Sequence, residues 1–240
     1  MILRFCAAVL SRLFSSNQQT RRAWQWWHQR QVDRLHDGAE LIRDGLLQEL
    51  FAMRRNLELA CDEQKPISNE HLQQLEAFHR MLEQVSNELS PAYIRDSLPL
   101  ALQYILQTWG DRHPDIQQSV QLPSSWMDDE DDVQRIVVTA FEELLNLLSP
   151  YLQPEAVLRI ALVPSNHSAT LTVQVEQRDM QQVMSILDAE ELVYLRQAFE
   201  MLTAGRWFQS VETSCIQWQW VWRINEVAND EVANNKGRSQ

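Results

Sequence analysis

The sequence predicts an α+β fold in which a long helical hairpin precedes a segment of mixed strands and helices. Apolar residues recur every three or four positions along two long stretches before Pro91, which is typical of amphipathic helices. After Pro91, residues 157–163 and 170–175 alternate in the manner of strands. The chain has 240 residues and is 45% hydrophobic, so it can bury a proper core. We therefore expect a hairpin domain over residues 21–92 and an α/β domain over residues 93–227.

The first 20 residues predict a separate amphipathic segment. Within residues 1–14, helical spacing relates Ile2, Phe5, Val9 and Leu13, and a polar break is expected at Ser15–Thr20. Residues 1–32 contain five arginines and no acidic residue, so this segment carries a charge of +5. Since the whole chain has a net charge of −12, the remaining residues carry −17. Two interpretations stay open for residues 1–14: packing on the protein or a dimer partner, and docking on an anionic membrane surface.

Two long helices predict the hairpin. The first runs from about Arg22 to Cys61, and its apolar seam comprises Leu35, Ala39, Ile42, Leu46, Leu50, Met53, Leu57 and Ala60. A turn and helix cap at Pro66–Asn69 lead to the second helix, whose seam comprises Leu75, Phe78, Leu82, Val85 and Leu89. One hairpin cannot hide both seams, whereas two can do so in a four-helix bundle. The sequence therefore predicts a homodimer.

The remaining chain predicts about five strands and three helices. The helices are expected at Leu98–Trp109, Val133–Leu148 and Leu187–Leu202, and the strands at Ile116–Leu122, Val157–Val163, Thr170–Val175, Arg206–Val211 and Ile216–Ile224. Acidic residues Asp128–Asp132 lie at a helix start, where the helix dipole favours them over a cation site. Trp218, Trp220 and Trp222 share one strand face, which suits a covered core better than a ligand platform. The polar tail, residues 228–240, predicts disorder.

Composition excludes several function classes. No glycine occurs between Gly110 and Gly205, which disfavours a glycine-rich phosphate loop there. The acidic body repels nucleic acid. Cys6, Cys61 and Cys215 show no metal-ligand spacing, so we expect no metal site. Because the glycine-rich phosphate loop is missing, we also expect no cofactor. Neither a secretory signal nor a membrane-spanning stretch is evident, which predicts a cytoplasmic protein whose membrane contact, if any, is peripheral.

The run Arg43-Asp44-Gly45-Leu46-Leu47-Gln48 resembles the phosphoacceptor box of one class of two-component sensor histidine kinases. That class partners response regulators with helix-turn-helix output domains, and its box reads His-Asp-x-x-x-Gln. Asp44 and Gln48 match, whereas Arg43 stands at the histidine position. The run Asn87–Pro91 resembles the end of the second helix of the family.

The resemblance extends over about residues 35–224. Phe141–Asn146 is similar to the nucleotide-site helix of the family, with Glu142 and Asn146 at its glutamate and magnesium-binding asparagine. Where the family shows Asp-x-Gly-x-Gly, this chain has Glu176-Gln177-Arg178. The resemblance implies a dimerisation hairpin followed by a degenerate GHKL ATPase-like α/β sandwich that lacks the acceptor histidine and the ATP-lid glycines.

The implied function is a non-kinase signalling adaptor that binds a response regulator receiver domain or a histidine kinase. Arg43 cannot accept a phosphoryl group because arginine is held protonated and has no free lone pair. In the family the glutamine of the box is implicated in dephosphorylating the regulator, so Gln48 could orient a water while Asp44 fixes its amide and Arg43 holds phosphoryl oxygens. Two alternatives remain. One is phosphotransfer through His36, seven residues before Arg43 on nearly the same helix flank, and the other is a purely structural dimeric interaction module.

Overall fold

A computed structural model of the chain describes residues 2–62, 69–89, 97–126, 131–165, 167–212 and 214–224. The turn predicted at Pro66–Ser68, the helix end at Ser90–Pro91, the acidic residues 128–130 and the tail 228–240 lie outside these ranges. Side chains before residue 18 also lie outside the described part, so the apolar seam predicted for residues 1–14 stays a prediction. Among the described residues, no helix combines the length and apolar character needed to cross a bilayer.

The chain begins with one long, almost continuous helix. Helix α1 spans Ile2–Glu40 and continues through a π turn, Leu41–Leu46, into α2, Leu47–Asp62. The polar break predicted at Ser15–Thr20 is wrong: the helix passes through it, since that stretch contains no glycine or proline to end a helix.

The structure divides into two compact units. One contains Gln25–Ala92, and the other contains Met1–Trp24 together with Tyr93–Gln240. Since the division falls within α1, this helix contributes residues to both units.

In the hairpin unit, α2 packs antiparallel against α3, Asn69–Leu89. Leu46, Met53 and Val85 are buried. The Asn56 Nδ2 donates to the Gln74 Oε1 over 3.3 Å. The predicted hairpin helices are therefore confirmed over the described residues.

The apolar seam of α1 differs by one residue from the predicted one. Arg34 is half-buried and Gly38 is buried, whereas Leu35 and Ala39, the predicted seam residues, are exposed. Downstream of the π turn, the predicted residues Leu46 and Met53 are buried as expected. A π turn closes its hydrogen bond over five residues instead of four, so it displaces the phase of the preceding helix by one residue.

The second unit is built on a five-stranded mixed sheet. Besides the first part of α1, its helices are α4 (Leu98–Arg112), α5 (Asp131–Leu148), α6 (Met180–Met184) and α7 (Glu190–Thr203). Its strands are β1 (Gln117–Gln121), β2 (Val157–Pro164), β3 (Ser168–Glu176), β4 (Arg206–Val211) and β5 (Cys215–Arg223). The strand order is β1-β2-β3-β5-β4, with β1 parallel to β2 and the other neighbours antiparallel. Short 3-10 turns follow α5 and α6. The predicted α+β class is confirmed, while α6 was not predicted.

The tryptophan row of β5 belongs to the core. Trp218, Trp220 and Trp222 are almost completely buried, and Trp218 and Trp220 lie opposite apolar residues of β3 in the antiparallel register. The Trp220 ring stacks on Trp207 of β4 at 4.7 Å and lies 5.2 Å from the ring of Phe199 in α7. These contacts confirm the core interpretation, because a ligand platform would need the rings to face solvent.

A tight junction joins α7 to β4. Ala204 adopts the left-handed conformation with φ 51°, and Thr203 Oγ1 donates to the Phe199 carbonyl over 2.7 Å while accepting from the Gly205 N–H over 3.1 Å. A Cβ on Gly205 would lie 2.6 Å from the Val221 carbonyl oxygen and 2.7 Å from Thr203 Oγ1. Glycine is therefore required here for the close approach of the two strands.

Candidate functional site

The three box residues lie on the surface of the hairpin. Arg43 and Asp44 belong to the π turn, Gln48 lies in the first turn of α2, and all three side chains are exposed. The box is therefore accessible to a partner protein within the described unit.

The π turn is anchored from beneath by the hairpin core. Leu46 is buried, and a Cβ on Gly45 would stand 3.7 Å from the sulfur of Met81 on α3, an ordinary van der Waals distance. The apolar positions within the box therefore fix the turn to α3, while its charged positions face outward.

The π turn covers the first part of the box. The Leu47 N–H donates to the Ile42 carbonyl, five residues back. Asp44 and Gln48 were expected to stack one α-helical turn apart so that the carboxylate could fix the amide. The π turn ends at Leu46, before Gln48, so this relation between the Asp44 and Gln48 side chains stays a prediction. π turns are frequent at functional sites, and no feature of the composition indicated this one.

His36 lies apart from the box. It is exposed in the last turns of α1, and its Nε2 stands 3.3 Å from the Glu40 Oε1. The π turn begins at Leu41, between His36 and Arg43, so the helix flank that the two residues were expected to share stays a prediction. At 1.5 Å per helical residue, His36 and Gln48 are about 18 Å apart along the axis. The two cannot contact one phosphoryl group within one helix.

The remnant nucleotide residues lie on α5. Glu142 is half-buried and has a partner, while Asn146 is exposed one turn later on the same helix flank. The next residue, Glu143, is buried. Among the described residues, no group of three or more histidine, cysteine or acidic side chains could hold a metal ion.

The segment that follows β3 is closely packed. The Gln177 Nε2 donates to the Asp179 carbonyl over 2.7 Å and to the Tyr151 carbonyl over 3.4 Å, and the Gln177 Oε1 accepts from the Gln153 N–H over 3.1 Å. A second amide pair joins Gln153 to Gln182 over 3.1 Å. We call these three glutamines, Gln153, Gln177 and Gln182, the glutamine latch.

Helix α6 follows the same segment and contributes Gln182 to the latch. The Asp179 carboxylate caps it by accepting from the Gln181 N–H over 3.0 Å, and Val183 and Ile186 are completely buried. Sequence reasoning missed α6, although the capping aspartate was a usable signal.

No protein-family model matches the chain, and no curated protein matches it. Solved structures with similar folds include the histidine kinase AdeS of Acinetobacter baumannii, at 13% identity and TM-score 0.43, covering 75% of this chain and 98% of that one. A histidine kinase of Burkholderia phymatum has 11% identity and TM-score 0.46, covering 81% and 98%. A blue-light activated histidine kinase of Erythrobacter litoralis has 15% identity and TM-score 0.46, covering 77% and 60%. At such low sequence identity, the similarity is one of fold alone.

Proposed function

We propose that the chain is a dimeric signalling adaptor that resembles a sensor histidine kinase, lacks kinase activity, uses no cofactor, and binds a response regulator receiver domain or a true histidine kinase. The observation that carries this proposal is the set of exposed leucines on both hairpin helices. They include Leu50, Leu57, Leu75 and Leu82, all from the predicted seams.

The exposed leucines support dimerisation, because a second copy of the hairpin could bury them. Leu75, Phe78, His79 and Leu82 line an apolar groove along α3. A contiguous apolar surface of this kind marks an interaction site in a water-soluble unit. Pairing two hairpins into a four-helix bundle would remove the leucines of both copies from water.

The glutamine latch supports the absence of kinase activity. A triphosphate needs backbone N–H groups from a flexible loop and a metal to offset its charge. This chain instead has Glu176-Gln177-Arg178 at the end of β3, and the Gln177 side chain is held by the backbone groups of Gln153 and Asp179. Glu142 and Asn146 alone cannot supply the missing amides.

The exposure of the box residues supports a role in dephosphorylating a receiver domain. Gln48 can orient a water for in-line attack on an aspartyl phosphate of a receiver domain, while the regulator's own metal balances the charge. Arg43 is exposed and can pair with phosphoryl oxygens. Under this proposal the protein promotes regulator dephosphorylation without itself carrying phosphate.

The experiment uses a receiver domain already shown to bind. Gln48→Ala should slow loss of phosphate from that receiver by about 10- to 100-fold with binding largely intact, because water positioning matters most in the transition state. Gln25→Ala is the matched control, an exposed glutamine on the same long helix outside the box. If wild-type protein does not change the dephosphorylation rate, the chain is reduced to the structural interaction module.

The phosphotransfer alternative rests on the exposed imidazole of His36. If Nε2–H donates to Glu40, only Nδ1 keeps a lone pair for a phosphoryl group. Phosphate on His36 in the same assay, absent from His36→Gln, would favour this alternative. The proposed location is the cytoplasm, with peripheral membrane contact through residues 1–14.

A further inference from the structure

Strand β4, Arg206–Val211, forms an open edge of the sheet. It lies last in the strand order, and its register with β5 is regular. Phe208 and Val211 are 48% and 44% exposed, and Gln209 and Ser210 are exposed as well. Proteins commonly protect such an edge with lysine, proline or a bulge, whereas β4 contains neither lysine nor proline. An unprotected edge of this kind is a surface on which a further strand can pair.

The hydrogen bonds of β4 show which of its backbone groups face the open edge. In an antiparallel pair, every second residue exchanges backbone hydrogen bonds with the neighbouring strand, and the residues between them face away. The Glu212 N–H donates to the Cys215 carbonyl over 2.8 Å, so the even-numbered residues face β5. The Trp207 N–H agrees with this assignment, since it donates to the carboxylate of a glutamate on α7 over 3.1 Å. The N–H and carbonyl groups of Gln209 and Val211 therefore face the open edge.

The two ends of the open edge carry opposite charges. Arg206 begins β4 and Glu212 directly follows it, and both side chains are exposed. Since alternate residues of a strand share a face, Arg206 and Glu212 lie on the same face of the sheet. Arg223 of β5 adds a second positive charge beside Arg206, whose register partner is Val221. The edge is therefore positive where β4 begins and negative where it ends.

We propose that β4 pairs antiparallel with β4 of a second copy, about a two-fold axis at Gln209. In this register the backbone groups of Gln209 bond to those of the partner's Gln209, because both face the open edge. Arg206 of each copy then lies opposite the partner's Glu212, on the same face of the joined sheet. Opposite charges directly across a strand pair stabilise it, and the symmetry supplies this charge pair twice.

The charges favour a second copy, in this register, over an unrelated strand. β4 itself supplies both the positive and the negative end that its complement requires. A shift of two residues would keep backbone pairing but could place Glu212 opposite the apolar Phe208, and a parallel arrangement would bring Arg206 beside Arg206. This inference goes beyond the proposed function, since it concerns the α/β unit alone. Together with the proposed hairpin dimer, the contact would link dimers into larger assemblies.

A disulfide trap in the full chain tests the contact. Directly paired residues of hydrogen-bonded strands have Cα atoms about 5.5 Å apart, which is within the range of a disulfide. On mild oxidation with copper phenanthroline, Gln209→Cys should form a covalent dimer whose link at position 209 is identified by mass spectrometry. The matched control is Gln121→Cys, an exposed glutamine on β1 at the opposite edge, which should cross-link more slowly. The wild-type chain, with its own three cysteines, measures the background.

Charge reversal tests the register. Added to Gln209→Cys, Arg206→Glu places like charges opposite each other at both symmetric positions. At low salt this should slow cross-linking at position 209 by about 10- to 30-fold. Adding Glu212→Arg to the same chain recreates both opposite-charge pairs and should restore the rate.

Three results would overturn the proposal. Equal rates for Gln209→Cys and Gln121→Cys would show random collision, and an effect of Arg206→Glu that Glu212→Arg does not reverse would exclude the register. Faster cross-linking in a mixture of Gln209→Cys and Gln121→Cys than in Gln209→Cys alone would show that the two edges join head to tail. Because the trap probes β4 and the receiver assay probes the hairpin, failure of the trap would leave the proposed function standing.

Discussion

Replacing Leu75 and Leu82 together by glutamine should weaken the dimer without unfolding the protein. Their side chains are 53% and 48% exposed, so they give little support to the isolated hairpin. Complete burial of a leucine is worth about 1.5–3 kcal/mol, and dimerisation would bury the remaining half, about 1 kcal/mol for each. Two positions in two copies therefore contribute about 4 kcal/mol, which corresponds to a change of about a thousandfold in the dimer dissociation constant.

Sedimentation equilibrium over a wide concentration range measures this constant. The matched control is Leu100→Gln with Met201→Gln, two exposed apolar residues on helices outside the hairpin. That pair should dissociate as the wild type does. A dissociation constant for Leu75→Gln with Leu82→Gln equal to that of the wild type would refute the reasoning, and so would a wild-type protein that stays monomeric at high micromolar concentration.

Three further predictions concern the α/β unit. Gly205→Ala should lower the unfolding free energy by about 1–3 kcal/mol, because the new Cβ would overlap the neighbouring strand. Ala204→Gly should raise it by about 1 kcal/mol, because glycine adopts the left-handed conformation without strain. Urea denaturation measures both changes. Gln177→Ala should cost about 1–2 kcal/mol and speed amide hydrogen exchange in α6. Burial raises the pKa of the Cys215 thiol, and the Glu212 carboxylate adds to this, so above about pH 9 the unfolded chain loses that proton before the folded one. The unfolding free energy should therefore fall there with rising pH, and Cys215→Ala should flatten the profile.

The hydrophobic period predicted most helices and strands, because a period that extends over many residues is still recognisable when single positions depart from it. The bounds of β4 match residue for residue, and the tryptophan row of β5 faces the core as its alternation indicated. Helix α6 was missed because five residues, Met180–Met184, are too few to show a 3.6-residue period. The polar stretch Ser15–Thr20 was misinterpreted as a break because polarity alone does not end a helix.

The candidate site was predictable in composition but not in geometry. The box residues were predicted from a resemblance in sequence, and Arg43 and Gln48 are exposed in the structure. The π turn that contains Arg43 contacts α3, and no hydrophobic period in the sequence indicated it. The one-residue displacement of the apolar seam at Leu35 follows from that turn.

The most direct test of the proposed absence of kinase activity is calorimetric titration of the full chain with Mg-ATP. No heat of binding is expected up to millimolar nucleotide, since Glu176-Gln177-Arg178 contains no glycine and the glutamine latch holds this segment in place. Micromolar binding that disappears in Asn146→Ala would contradict this expectation, because the nucleotide site would then survive on α5.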